Sequence, residues 1–377
     1  MTKQEMVKPD RIDVFLGAKH VGTLAETNHA AAFQYSDEWL AEGFSISPFS
    51  LPLERRLYVP KYLPFEGVFG VFADSLPDGW GRLVVDRYIR KEFLQSSEEV
   101  SAFQRLTLIS GSGMGTLEYR PAIDIPNAAA IKNLDEAARE CGELLESGFS
   151  ENLDELFLLG GSSGGARPKI HTKIDGQDWI IKFPSSYDDK NIGLQEYEYS
   201  LCAKECGIKM SDTRLFDSKV CAGYFGTKRF DRGDSGRKLH TVSVSGLLET
   251  SHRYPSLDYG QLMKLTQILT RDMQEVKRMY DLMCFNVYAH NRDDHSKNFA
   301  FLYEEETGWT LSPAYDLTYS NSQGGEHATC VNGEGKAPKL SDLLKVAELA
   351  GLDTAYAKRR AKEIEEVVMT RLGKYLL

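Results

Sequence analysis

The chain has 377 residues, 42% of them apolar and 27% charged, and a formal net charge of −10. This length suits two or three domains with a substantial core, and the composition suits ordered globular structure rather than disorder. The acidic balance argues against a nucleic-acid footprint over the whole surface, and no stretch reaches the ~18 consecutive apolar residues of a membrane span.

The amino-terminal run MTKQEMVKPDRIDVFLG lacks the apolar core of a secretory signal. The six cysteines show neither Cys-x-x-Cys nor zinc-type spacing, so they are expected to be reduced thiols of a cytoplasmic protein. Residues 11–24 alternate around Gly17 and predict an opening β-hairpin; FQYS, SISPFS and RLYVP are further short strand candidates. RLVVDRYIRKEF has helical spacing, with its start near Asp78 or Gly79, and 99–111 reads as a second helix. Pro121 to Ala130 is a candidate linker, and Leu134 to Leu145 is helical. Nothing before residue 125 carries an obvious chemical constellation.

A glycine-rich run follows at Gly160-Gly161-Ser162-Ser163-Gly164-Gly165-Ala166-Arg167-Pro168-Lys169. Consecutive glycines let backbone N–H groups turn toward an anion, although the Gly-Lys-Ser/Thr ending of a P-loop is missing. The strands KIHTKID and DWIIKFP come next, joined at Gly176. In the second, Trp179, Ile181 and Phe183 share one face and Lys182 takes the other. A lysine on a strand after a glycine loop is the element that holds nucleotide phosphates in kinases, and Glu196 or Glu198 on the following helix is its candidate acidic partner. GYFGTKRFDR (223–232) is another strand. Two helices split near Thr270-Arg271-Asp272 lead to FNVYAHNRDDHSKN, and two more close the chain. The basic run 357–362 in the last of these reads as a solvated helix face.

Asp293, Asn298 five positions on, and Asp316 after a hairpin-like segment form the densest chemical set. One acid to orient a hydroxyl, with an amide oxygen and a second carboxylate for magnesium, is the equipment of kinase-type phosphoryl transfer. His295 and Lys297 lie between them and are placed to steady phosphate or the loop.

FADSLPDGWGR (72–82), SSGGARPK (162–169), WIIKFP (179–184), the helix with Glu196, KRFDR (228–232), NRDDHSKN (291–298) and SPAYDL (312–317) stand in an order that resembles the HipA-type serine/threonine kinases of bacterial toxin–antitoxin modules, over nearly the whole length. The resemblance implies an α+β, two-lobed protein-kinase-like fold. It divides into a small α+β subdomain (1–125), a kinase-like N-lobe (126–245) and an all-helical C-terminal lobe (246–377).

It also implies use of ATP and Mg2+. Gly164, Gly165, Ala166, Arg167, Pro168 and Lys169 would line the phosphates, Lys182 with Glu196 would hold them, and Lys228, Arg229 and Phe230 would form the adenine hinge. His295, Lys297 and Tyr315 would complete the nucleotide site. Asp293 would be the acid–base residue and Asn298 and Asp316 the metal ligands. Ser162, or its neighbour Ser163, would be autophosphorylated as an off-switch. The implied partners are a protein substrate, which in the family includes aminoacyl-tRNA synthetases, and a DNA-binding antitoxin. His290 departs from the glycine common at that point in relatives, and GDSGRKLHTVSVSGLL departs from the best-known toxins. A non-catalytic ATP-binding repressor or scaffold, and a small-molecule kinase of the aminoglycoside or choline type, are the alternative readings.

Overall fold

The computed structural model describes residues 5–6, 8–27, 29–123, 133–233 and 236–376. Most of the expected linker at 121–130 lies outside them. The chain groups into two compact units, Met1–Lys190 with Phe216–Thr250, and Asn191–Leu215 with Ser251–Leu377.

In the first unit, strands Ala30–Tyr35, Lys19–Thr27, Arg11–Leu16 and Leu117–Arg120 lie in that order as one antiparallel sheet. The expected hairpin closes through Gly17, whose φ of +60° suits glycine. SISPFS is a turn rather than a strand. Tyr35 donates its hydroxyl to the Leu51 carbonyl at 2.7 Å and takes the Ile46 N–H at 3.2 Å, which satisfies that backbone without a strand partner. RLYVP contributes a single bridge, Tyr58 to Phe33. Helix Asp37–Glu42, absent from the sequence reading, is short and capped by Ser36 accepting from the Trp39 N–H at 3.0 Å.

Strands Lys169–Ile174, Gln177–Lys182 and Tyr224–Lys228 form a second antiparallel arrangement. The apolar faces of helices Gly79–Glu92, Leu134–Ser147 and Leu153–Gly160 meet it in one core, in which Trp80, Tyr88, Leu144 and Phe157 are buried with Ile170, Ile181, Phe183 and Tyr224. Period-2 alternation therefore decides which side of this sheet is apolar, and Lys182 is left on the other, as expected.

The second unit holds helices Ile192–Glu205, Tyr259–Thr270, Met273–Tyr288, Leu340–Leu349 and Thr354–Leu376. The split at Arg271 is real: this residue has φ +55°, and Asp272 caps the next helix by accepting from Gln274 N–H at 2.8 Å. The unit expected to be all-helical also contains the antiparallel hairpin Ala300–Glu304 with Gly308–Leu311, and a parallel pair, Leu257–Asp258 with Thr329–Cys330. The basic run 357–362 is not one solvated face. Ala357 and Ala361 are buried, and Arg360 donates to Asp281 at 2.9 Å and to the Cys206 carbonyl at 2.8 Å. All six cysteines are free thiols. Among the described residues no helix is long and apolar enough to cross a membrane.

Candidate active site

The expected site residues divide between the two units. Ser162 to Lys169, Lys182 and Lys228 to Phe230 belong to the first, and Glu196, Asp293, His295, Lys297, Asn298, Tyr315 and Asp316 to the second.

The glycine-rich loop leaves the end of helix Leu153–Gly160 and enters strand Lys169–Ile174. Gly164, Gly165 and Ala166 are exposed, and Gly165 has φ +82°, which L residues rarely adopt. Lys169 is only 7% exposed and turns back to donate to the Gly164 carbonyl at 2.6 Å. Pro168 accepts the Phe183 N–H at 2.9 Å, and Arg167 pairs with Asp188 at 3.3 Å. Lys169 and Lys182 are direct partners in the ladder, so their side chains leave the same face. Two like charges opposite each other disfavour the pair unless negative charge is near, and the half-buried Lys182 lies 5.7 Å from the centre of the Phe225 ring. Ser162 is half-buried and donates to the Ser112 carbonyl at 2.9 Å. Ser163 is buried and donates to the Gly160 carbonyl at 2.5 Å.

The segment 72–82, which carried no chemistry in the sequence reading, grips this loop. Asp78 accepts from the Gly165 N–H, Trp80 donates its backbone N–H to the Gly165 carbonyl at 2.8 Å, and its indole donates to the Lys169 carbonyl at 3.0 Å. A Cβ on Gly79 would strike the Gly165 carbonyl and one on Gly81 the Ser163 carbonyl, so both glycines are there for close approach. Local pattern gives no hint of this, because the contacts span more than eighty residues.

Arg229, expected at the adenine hinge, has its guanidinium occupied. It holds Asp231 through two bonds of 2.9 and 2.7 Å and donates to the Gly113 carbonyl at 3.0 Å, while its backbone N–H goes to the Asp178 carbonyl at 2.9 Å. Arg232 adds a second contact to Asp231 at 2.8 Å. Burial alone would raise the Asp231 pKa, but the two guanidiniums and the Gly115 N–H bring it down to about 2. Lys228 and Phe230 flank this knot, both half-buried.

In the second unit, helix Met273–Tyr288 delivers the chain to His290, which takes φ +51°. A left-handed turn is thus made here by histidine, whose pKa is lowered by burial and then by Arg292. Asp293 and Asp294 follow with opposite fates: the side chain of Asp293 is 63% exposed and that of Asp294 is fully buried.

Asp294 accepts from the Tyr259 hydroxyl at 2.8 Å, His327 Nδ1 at 2.9 Å and the Thr329 N–H at 3.1 Å. Sequence reasoning passed over it because neighbouring acids look alike in a turn. His295 Nδ1 accepts from the Lys297 N–H at 3.3 Å, which leaves the proton on Nε2, 3.8 Å from Asp293 Oδ1. Asn298 donates Nδ2 to the Asp293 carbonyl at 2.6 Å, turning Oδ1 the other way, as a metal-ligating amide requires. The Tyr315 hydroxyl donates to the Lys297 carbonyl at 2.6 Å, and Asn291 bridges Ser320, so the two ends of this stretch run side by side. These bonds tie Tyr315, the residue before Asp316, to the loop that carries Asp293, His295, Lys297 and Asn298. Asp316 has φ +57°, a left-handed conformation uncommon outside glycine but one that aspartate tolerates better than most residues.

Glu196 lies on helix Ile192–Glu205 and is 2% exposed. Its rival Glu198 accepts from the Tyr375 hydroxyl at 2.7 Å and pairs with Lys374 at 2.6 Å, so it is committed elsewhere.

Sequence comparison identifies a HipA N-terminal domain over residues 12–120 and a HipA-like C-terminal domain over residues 161–372. Two Sinorhizobium fredii proteins are similar. "Putative kinase Y4dM" is 26% identical over 211 residues, covering 52% of this chain and 48% of that protein. "Putative kinase Y4mE" is 24% identical over 340 residues, covering 81% and 76%. The chain thus spans about half the length of the first relative and three quarters of the second. Among solved structures, HipA of Shewanella oneidensis MR-1, determined with HipB and operator DNA, superposes with a TM-score of 0.69 at 18% identity, covering 95% of this chain and 91% of that one, which is a likeness of fold. With both domains matched across most of its length, the chain belongs to the HipA family.

Proposed function

We propose that this chain is an ATP- and Mg2+-dependent serine/threonine protein kinase, with Asp293 as its acid–base residue. The observation that carries this reading is the catalytic loop. It presents one carboxylate outward at Asp293, turns the Asn298 amide oxygen away from the Asp293 carbonyl, and holds Asp316 in a left-handed conformation on the adjoining segment. The kinase designation of the two rhizobial relatives supports it.

The donor set fits the groups it would hold. Asn298 and Asp316 offer hard oxygens of the kind magnesium takes, and the opposed Lys169 and Lys182 supply the positive face that phosphates require. When bound, the metal neutralises charge on the phosphate oxygens. Asp293 accepts the proton of the acceptor hydroxyl as its oxygen attacks the γ-phosphorus, and the bond from phosphorus to the leaving oxygen breaks in the same displacement. His295 Nε2 lies beside the Asp293 carboxylate, 3.8 Å from Oδ1.

Ser162 is the proposed autophosphorylation site, and a DNA-binding antitoxin is the proposed partner, by analogy with the Shewanella complex. The three-part division at about 125 and 245, and a cytoplasmic location, belong to the same proposal. The test is transfer of labelled phosphate from ATP to protein. Asp293→Asn should lower the rate by ~10²–10⁴-fold; wild-type-like incorporation rejects the assignment. Phosphate appearing only on an added small alcohol would favour the small-molecule kinase instead.

A further inference from the structure

Resting on that reading, we propose that Asp294 is a positioning residue that fixes the direction of the Asp293 carboxylate. Four side chains close a ring around the loop. Asn291 Nδ2 donates to Asn286 Oδ1 at 3.0 Å, Asn286 Nδ2 to the Tyr259 hydroxyl at 2.9 Å, and that hydroxyl to Asp294 at 2.8 Å. The stretch 291–294 is therefore pinned at both ends, with Asp293 inside it.

A second clamp acts on the backbone. Thr329 Oγ1 donates to the Asp294 carbonyl at 2.5 Å, and Ala328 N–H donates to the Arg292 carbonyl at 3.0 Å. A carboxylate with no exposure is costly unless it is fully hydrogen-bonded, and an apolar residue would fill a purely structural turn at lower cost. What the buried acid adds is direction. With Asp294 held inward and the backbone on either side of Asp293 tied down, the Asp293 carboxylate is left on the exposed side.

Asp294 acts through Asp293 and touches no substrate. Asp294→Asn and Thr329→Val should each lower kcat by ~10–100-fold with the KM for ATP within ~3-fold, since a catalytic group misplaced by about 1 Å costs that much. Thr329→Ser, which keeps the hydroxyl, should recover most of the loss. In an Asp293→Asn background, Asp294→Asn should cause no further fall, because the two changes remove one effect. A full additional loss there, or a rise in KM equal to the fall in kcat, overturns the proposal.

Hydrogen exchange separates this claim from the kinase reading. If the wild type transfers no phosphate, that reading fails by itself. Amides 291–298 should still exchange faster in Thr329→Val than in Thr329→Ser, with the rest of the chain unchanged, and equal protection in the two variants overturns the positioning role.

Discussion

Trp80 holds the glycine-rich loop at its middle and at its far end: its backbone N–H donates to the Gly165 carbonyl at 2.8 Å while its indole N–H donates to the Lys169 carbonyl at 3.0 Å. The loop proposed to cradle phosphates is thus shaped by a segment some eighty residues upstream.

Trp80→Phe removes one of these bonds and leaves a carbonyl without its donor, at a cost of ~1–3 kcal/mol. Gly79→Ala should be worse, because it puts a methyl group into the Gly165 carbonyl at φ +47°. Denaturant melts give the stability loss and nucleotide titration the effect on the loop. Unchanged ATP affinity in a folded Gly79→Ala protein would separate the segment from the site.

Asp231 is buried between Arg229 and Arg232. Asp231→Asn strands two guanidiniums in the interior and should cost ~3–5 kcal/mol, measured as a lower urea midpoint. The folded pKa lies below the ordinary carboxylate value, so the stability that wild-type Asp231 provides is complete above about pH 4. It is lost as pH falls toward about 2.

Glu249 and His240 set opposing pH dependences in the first unit. Burial raises the Glu249 pKa to about 7, even though it accepts the Gly70 N–H at 2.9 Å. Its ionisation therefore weakens the fold as pH rises from about 4.5 to 7. Burial lowers the His240 pKa to about 4, with Nε2 donating to the Ile46 carbonyl at 2.8 Å, so protonation weakens the fold as pH falls from about 6.5 to 4. Each shift corresponds to up to ~3 kcal/mol, and between pH 4.5 and 6.5 the two slopes oppose. Glu249→Gln should stabilise the protein at pH 8, do little at pH 4, and expose the His240 slope; the same gain at both pH values contradicts the assignment.

Ser162 and Ser163 are told apart by burial. With ATP, Ser162→Ala should abolish loop phosphorylation. Ser163→Ala should retain it while losing ~1 kcal/mol of stability with its bond to the Gly160 carbonyl. Peptide mapping decides between them, and phosphate on Ser163 alone would refute the choice. A phosphate adds roughly −1.5 to −2 charges, enough to disturb a loop held by single hydrogen bonds.

Local pattern in the chain was sufficient for whatever depends on neighbours in sequence. The alternation that puts Lys182 opposite Trp179 and Ile181, the break at Arg271, the hairpin after Asn298 and the Asp293–Asn298 spacing all follow from residue periodicity and turn chemistry, which act over a few residues. Only the tertiary structure could say that Asp294 is buried while Asp293 is exposed, that Glu196 rather than Glu198 is enclosed, that the Arg229 guanidinium is taken up by Asp231, and that Asp78 to Gly81 clasp the glycine loop. Burial and hydrogen-bond partnership depend on which distant segments arrive at a residue, and residue type together with spacing does not encode that.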